Sequence, residues 1–153
     1  SMCTYFVIVA PTLTHADTHS VCTLSTYFGR GWCRLEQWAH MAVGGTAHMY
    51  VTGMPSEGDA TIAAADTEEG SRVLRPLSTL VEHERHAAEV LRVFDGDFSV
   101  EADKARLVDV VLGLWALTVV AREEQVGHVA TLCAEVRANT DAIFPRAFFG
   151  ELG

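Results

Sequence analysis

The chain is organised around one stretch that combines loop-forming, aromatic and ionisable residues: Tyr27-Phe28-Gly29-Arg30-Gly31-Trp32-Cys33-Arg34-Leu35-Glu36-Gln37-Trp38-Ala39-His40. Glycines on both sides of Arg30 predict a loop, and a helical pattern begins at the second glycine. Apolar residues at helical spacing predict that one stripe anchors a helix over 31–43 in the core. That stripe consists of Trp32, Leu35, Ala39 and Val43.

A second stripe of the same predicted helix carries ionisable side chains. Cys33, Glu36 and His40 lie three and four residues apart, so they share one side of the helix. A carboxylate held beside a buried stripe is partly removed from water, and this desolvation makes it chemically useful. The helix therefore presents a thiol, a carboxylate and an imidazole together.

Two short strands are predicted on either side of this helix. Residues 5–10 are a continuous apolar run ended by Pro11, which is typical of a parallel strand buried on both faces. Gly44 and Gly45 end the helix, and a second strand follows at 47–52. The order of strand, helix and strand predicts two adjacent parallel strands with the helix as their crossover.

These elements resemble the third strand and third helix of TIR domains. The resemblance covers residues 5–53 and rests on three segments: Tyr5-Phe6-Val7-Ile8-Val9-Ala10-Pro11, Trp32-Cys33-Arg34-Leu35-Glu36 and His48-Met49-Tyr50-Val51. The longer pattern over 27–36 is similar to the TIR-like proteins of unicellular algae. The run at 95–99, with the sequence Asp-Gly-Asp-Phe-Ser, extends the resemblance to about residue 120.

The resemblance implies an α/β fold: a partial flavodoxin-like (TIR-like) parallel sheet with helices, followed by a helical C-terminal half. Residues 3–153 are expected to form a single TIR-like domain. TIR domains have two strands and two helices ahead of this motif, whereas only four residues precede the first predicted strand here. We therefore expect this chain to lack the N-terminal strands.

The resemblance also implies candidate site residues. In TIR domains that cleave NAD, the glutamate of this motif is catalytic, and it corresponds to Glu36. Trp32 and Trp38 are the candidate stacking surfaces for a base or nicotinamide ring, and Arg30 is a further candidate contact. The alternatives are an ion pair of Glu36 with Arg30 or Arg34, and plain core packing of the two tryptophans.

Two functions from different classes follow. The first is a TIR-like signalling module that acts by self-association as a homo-oligomer, most simply a two-fold dimer. A hydrophobic share of 49% and a mean hydropathy of +0.17 favour it, because surplus apolar surface often lies in a subunit interface. The alternative is an NAD-cleaving hydrolase using Glu36, with NAD as substrate and no bound cofactor. A hydrolase using Cys33 and His40 is disfavoured, because they lie about 10 Å apart along the helix.

Charge and cysteine content exclude several other classes. The net charge of −9 argues against nucleic acid and against an anionic membrane surface as partners. The four cysteines form no disulfide framework, which indicates reduced thiols and a cytoplasmic setting. The longest apolar run, 110–121, is too short to span a bilayer.

The segment at 12–26 is polar and has two interpretations. Four of its side chains are candidate metal ligands: His15, Asp17, His19 and Cys22. We favour the second interpretation, a loop in which such side chains bond backbone groups, because no second half of paired ligands is present. We therefore predict no metal site.

The remaining sequence is predicted to be mainly helical. Residues 55–72 read as an exposed loop, and Pro76 begins a helix that extends to about residue 94. A helix over 100–121, capped by Ser99, is nearly apolar all round and should be buried on both sides. A last helix is expected at 123–143.

Overall fold

A computed structural model of the chain describes residues 5–9, 13–16, 18–52, 74–80, 86–120 and 128–151. It shows a mixed α/β structure. In chain order the elements are β1 (Phe6–Val9), α1 (Leu24–Gly29), α2 (Gly31–Gly44), β2 (Met49–Thr52), β3 (Arg75–Pro76), α3 (Asp103–Val120), α4 (His128–Ala138), α5 (Thr140–Ile143) and α6 (Arg146–Glu151). Short 3₁₀ helices lie at Leu77–Thr79, Ala87–Glu89 and Val93–Asp95.

The three described strands form one mixed sheet in the order β1-β2-β3. β1 and β2 are parallel, with Phe6 opposite Met49 and Val9 opposite Thr52. This pairing confirms the predicted adjacent parallel strands, and α2 is the helix that connects them. β3 pairs with β2 in the antiparallel direction, which the sequence did not predict.

The prediction that the first strand is buried on both faces is wrong. Ile8 is only 2% exposed, whereas its neighbours Val7 and Val9 are 41% and 52% exposed. Ile8 packs into the core together with Met49 on the adjacent strand, and alternate residues point to the opposite side of the sheet. β1 is a terminal strand of the described sheet, and the described core covers only one of its faces.

The central helix α2 is buried over a different sector from the predicted stripe. Trp32 and Val43 are 44% and 46% exposed, so these two positions were assigned wrongly to the core face. The buried sector instead comprises Gly31, Arg34, Leu35, Gln37, Trp38, Met41 and Ala42. The reason is that α2 contacts α1, α3, α4 and the turn at Val93–Asp95, and these contacts place Trp38 at the centre.

The Arg34 side chain is the polar centre of this packing. Its Nε donates to the carbonyl oxygen of Phe28 at 2.8 Å, and its Nη1 donates to that of Arg92 at 2.9 Å. Its Nη2 lies 3.0 Å from Glu89 Oε2, which also contacts His86 Nδ1 at 3.1 Å. Arg34 therefore pairs with Glu89, and the predicted alternative of an ion pair between Arg34 and Glu36 does not occur.

Two further predictions before α3 need correction. The polar segment up to residue 26 contains the start of α1, which Thr23 begins with a capping box formed with Thr26. The predicted helix from Pro76 to residue 94 is not continuous: Pro76 belongs to β3, the backbone is extended at Leu80 after a 3₁₀ helix, and residues 81–85 lie outside the described part. The exposed loop predicted at 55–72 also lies outside it.

The C-terminal helices were placed correctly in outline. α3 begins at Asp103, so Ser99 does not cap it, and it is buried on one side only. Leu107 and Val111 are in the core, while other apolar residues remain exposed: Val110, Leu112 and Leu117. The predicted last helix is divided at Asn139 into α4 and α5, and its residues 123–127 lie outside the described part. No helix in the described ranges has the length and apolarity to cross a bilayer.

We expect Arg34→Ala to lower the free energy of unfolding by about 2–4 kcal/mol, because it leaves buried carbonyl oxygens without donors. The measurement is urea unfolding followed by circular dichroism. Arg106→Ala is the matched control, because Arg106 forms only an exposed pair with Asp103 and should cost less than about 1 kcal/mol. Equal losses in the two variants contradict a central role for Arg34.

Candidate functional site

The site begins where the loop between α1 and α2 meets the turn before α3. Arg30 is extended and separates the two helices, and its backbone pairs with Asp97 in a parallel bridge. The Gly31 N–H donates to the Asp97 carbonyl oxygen at 3.1 Å, and the Asp97 N–H donates to the Gly29 carbonyl oxygen at 2.9 Å. The two sequence segments that carry the TIR-like resemblance, 27–36 and 95–99, are thus joined by backbone hydrogen bonds.

This junction requires glycine because the two backbones touch. A Cβ atom added at Gly96 would lie 2.5 Å from the Gly31 nitrogen and 2.6 Å from its Cα. A Cβ added at Gly31 would lie 2.1 Å from the Phe98 ring and 2.8 Å from the Val93 carbonyl oxygen. The close approach fixes Arg30 beside the C-terminal end of β1.

A small cavity of about 100 Å³ lies at that end of β1, and we call it the thiol cavity. Its lining residues are Val9, His15, Cys22, Thr23, Thr26, Tyr27, Arg30 and Cys33. A larger polar cleft of about 670 Å³ shares His15, Thr26 and Arg30 with it and extends to Asp97 and Lys104. Ligands of open α/β sheets bind beyond the carboxyl ends of parallel strands, and both spaces lie there.

A hairpin formed by residues 13–16 and 18–22 provides one wall of the thiol cavity. Thr14 and Val21 pair across it, and the Cys22 N–H donates to the Leu13 carbonyl oxygen at 2.7 Å. His15 Nε2 lies 2.9 Å from Thr26 Oγ1, which attaches the hairpin to the first turn of α1.

The electrostatics of the cavity depend on burial and on Glu36. Burial, with the carboxylate of Glu36 adding to it, raises the pKa of Cys33 to about 11, while Arg30 acts in the opposite direction. Burial, the Cys33 thiol and Glu36 together raise the pKa of the Tyr27 hydroxyl well above its usual range. The carboxylate of Glu36 therefore lies close enough to Cys33 and Tyr27 to act on both groups. At neutral pH both groups are protonated.

His40 lies further along α2, and burial affects its charge state in a different way from those of Cys33 and Tyr27. Burial, with a smaller contribution from His48, lowers the pKa of its imidazole, so His40 is neutral at pH 7. The His40 ring contacts Phe6 at a centroid distance of 5.4 Å, and its Nε2 is buried without a hydrogen-bond partner among the described residues. His40 is not among the residues that line the thiol cavity.

The predicted site residues are placed in different environments. Arg30 lines both the thiol cavity and the polar cleft, and its guanidinium hydrogen-bonds Ser99. Glu36 is exposed, one helical turn after Cys33. Trp32 is also exposed, whereas Trp38 is fully buried in the core and offers no ring face to a ligand. Of the two candidate stacking residues, only Trp32 is accessible.

The candidate metal ligands are not brought together in the described part of the chain. His15 and Cys22 line the thiol cavity, and Asp17 lies outside the described residues. His19 adopts a left-handed backbone conformation with φ of 53° at the tip of the hairpin. Among the residues that the structure describes, no group of three His, Cys, Asp or Glu side chains is arranged to hold a metal ion.

Comparisons with protein-family models, with curated proteins and with solved structures found no match for this chain.

Sequence reasoning missed Tyr27 and Asp97 as parts of the site. Tyr27 stands inside the motif, but its position on a helix before the glycine loop was not recognised. Asp97 is more than sixty residues away in sequence, and only the Asp-Gly-Asp run marked it. The signal that identifies it is Gly96, since a glycine between two aspartates indicates either a turn or a close backbone approach.

We expect Gly96→Ala to lower the free energy of unfolding by about 1–3 kcal/mol, because the added methyl group overlaps the Gly31 backbone. Gly44→Ala is the matched control: no atom lies within 4 Å of a Cβ added there, so it should be neutral or slightly stabilising. Urea unfolding midpoints measure both effects. Similar midpoints for the two variants contradict the close contact.

Proposed function

We propose that this chain is a TIR-like interaction module that acts by self-association. The observation that supports the proposal is the open face of the sheet. Tyr5, Val7 and Val9 lie on this face and are 58%, 41% and 52% exposed. Because alternate residues of a strand share a face, these three side chains form one apolar row, opposite to the buried Ile8.

The second strand extends the open face only as far as Tyr50. Val7 lies opposite Tyr50, and the Tyr5 ring contacts those of His48 and Tyr50 at centroid distances of 5.3 and 6.2 Å. Tyr50 is half-buried and Thr52 is buried. An exposed apolar row of this kind is typical of a protein-binding site.

The charge of the chain favours a second copy as the partner on this face. A net charge of −9 repels two copies wherever acidic surfaces meet. The exposed part of this face consists of Tyr5, Val7, Val9 and His48, with the half-buried Tyr50 beside them, and none of these residues is acidic. Two copies can therefore meet at this face with little repulsion while burying apolar surface, for which each Å² contributes about 25 cal/mol.

We expect the protein to form a dimer at tens of micromolar, on the ordinary scale of protein association, and Val7→Glu to shift it to monomer. The introduced carboxylates would face each other across an apolar contact. Light scattering coupled to gel filtration measures the mass, and circular dichroism checks the fold.

Val43→Glu is the control, because Val43 is equally exposed (46%) but lies on α2, outside the open face. A monomeric parent chain at all concentrations contradicts self-association. A dimer that survives Val7→Glu contradicts this face as the interface.

The second candidate function is NAD cleavage by Glu36, and one observation favours it. The Glu36 carboxylate is close enough to raise the pKa of Cys33 and Tyr27, two residues that line the thiol cavity. Glu36 itself is exposed, one helical turn after Cys33, and lines neither the cavity nor the polar cleft; the resemblance to TIR domains implies that the glutamate at this position is catalytic. A carboxylate there would stabilise the positive charge that develops on the ribose as the bond to nicotinamide breaks.

The other residues of this candidate site would bind the NAD substrate. Arg30 lines the adjoining polar cleft, where its guanidinium hydrogen-bonds Ser99, and guanidinium groups are common ligands of phosphate oxygens. Trp32 offers an exposed ring for stacking. Trp38 cannot take this role because it is buried.

We expect the purified protein to release nicotinamide from NAD, and Glu36→Gln to reduce the rate by at least about a hundredfold, the scale of losing one electrostatic contact to the transition state. Chromatography of free nicotinamide measures the rate. Glu135→Gln is the control, because Glu135 is exposed on α4 and lines neither the thiol cavity nor the polar cleft. Absence of release from the parent protein, or equal rates in Glu36→Gln, removes the NAD-cleaving candidate.

A further inference from the structure

The outer edge of β1 carries backbone groups that the pairing with β2 does not use. β1 and β2 are parallel, and the Phe6 N–H donates to the His48 carbonyl oxygen at 3.0 Å. In a parallel ladder, successive residues of a strand direct their N–H and C=O groups alternately toward the neighbouring strand and away from it. Phe6 and Ile8 therefore bond to β2, whereas the backbone groups of Val7 and Val9 point to the outer edge.

No strand covers this edge within the part of the chain that the structure describes. β1 is the terminal strand in the order β1-β2-β3, and it pairs with β2 alone among the described strands. Donors and acceptors that recur at every second residue along a strand edge match the backbone of another extended chain. The occupant that fits the outer edge is therefore a strand.

The described residues of β1 lack the features that usually protect a free edge. Charged side chains, proline and β-bulges keep strand edges from pairing with other chains. β1 has the sequence Phe6-Val7-Ile8-Val9 and pairs with β2 residue by residue, without a bulge. Valine, isoleucine and phenylalanine also favour strand pairing. Both the backbone and the side chains of β1 are thus suited to a further strand.

We propose that this further strand is β1 of a second copy, which pairs in the antiparallel direction across a two-fold axis at Val7. The inference rests on the proposed self-association and specifies how the two copies meet. The Val7 N–H of each copy would donate to the Val7 carbonyl oxygen of the other, so one backbone position satisfies itself across the axis. The pairing joins two sheets of three strands into one sheet of six.

An axis at Val7 uses the whole described strand segment. Residues 5–9 of one copy lie opposite residues 9–5 of the other, so Val9 lies opposite Tyr5. Because directly opposite residues of an antiparallel pair share a face, the exposed rows of the two copies lie side by side on a continuous open face. None of the residues in these rows is charged, so two chains of net charge −9 meet here without an acidic contact.

Amide hydrogen exchange of the full chain, followed by NMR at two protein concentrations, tests the edge pairing. We expect the Val7 and Val9 amides to exchange at least about tenfold more slowly where the chain is dimeric than where it is monomeric, because pairing protects them. The Phe6 and Ile8 amides are the internal reference. They bond to β2 in both states and should change less.

The outcomes separate this inference from the proposed self-association. A dimer whose Val7 and Val9 amides exchange as fast as in the monomer overturns the edge pairing but leaves self-association standing. Equal protection of these amides in the monomer also overturns it, because the chain would then cover its own edge. A parent chain that is monomeric at all concentrations overturns both.

Two cysteine variants test the position of the axis. Under mild oxidation, Val7→Cys should form a dimer linked through residue 7, because the two Cα atoms would lie about 5.5 Å apart, within disulfide range. Val9→Cys is the matched control. Its two Cα atoms would lie about 14 Å apart, four strand positions along, so its yield of dimer linked through residue 9 should be at least about tenfold lower. Peptide mapping without reduction identifies the linked residues, and equal yields contradict an axis at Val7.

Discussion

The buried guanidinium of Arg34 is the interaction on which the rest of this structure depends. Its hydrogen bonds to the carbonyl oxygens of Phe28 and Arg92 join the end of α1 and the turn before α3 to the central helix. A charged group that is only 7% exposed is tolerated because its donors are satisfied, with Glu89 as counter-charge.

The contact between Gly31 and Gly96 acts together with the hydrogen bonds of Arg34. Arg34 brings the turn near α2, and the meeting of Gly31 with Gly96 sets the distance between the backbones. The backbone bonds of Gly31 and Asp97 then define the position of Arg30, which forms part of both the thiol cavity and the polar cleft. The shape of the thiol cavity therefore depends on the packing of Arg34 and Gly96 as well as on the residues that line the cavity.

The elements that could be predicted from sequence are those whose signals are local. Hydrophobic runs and the glycines at 44 and 45 located β1, α2 and β2, because strand and helix ends depend on neighbouring residues. The buried sector of α2 could not be predicted, because it depends on which elements pack around the helix. The hydrophobic periodicity of α2 placed Arg34 outside the core. Its burial is explained by the carbonyl oxygens that accept its hydrogen bonds, one of which lies in a distant segment. The motif identified Glu36 as a candidate, and this residue is exposed one helical turn after Cys33, whereas Tyr27 and Asp97 required the tertiary structure.

The two proposed surfaces meet at one residue. Val9 belongs to the exposed row of the open face, and it also lines the thiol cavity. A partner that packs on the open face contacts Val9 and so reaches the cavity wall, where Cys22, Cys33 and the neighbouring Glu36 are arranged. Linkage then requires that any ligand in the cavity whose affinity changes on assembly must change the affinity of assembly by the same factor. The proposed self-association and the proposed chemistry in the cavity would then be coupled through Val9.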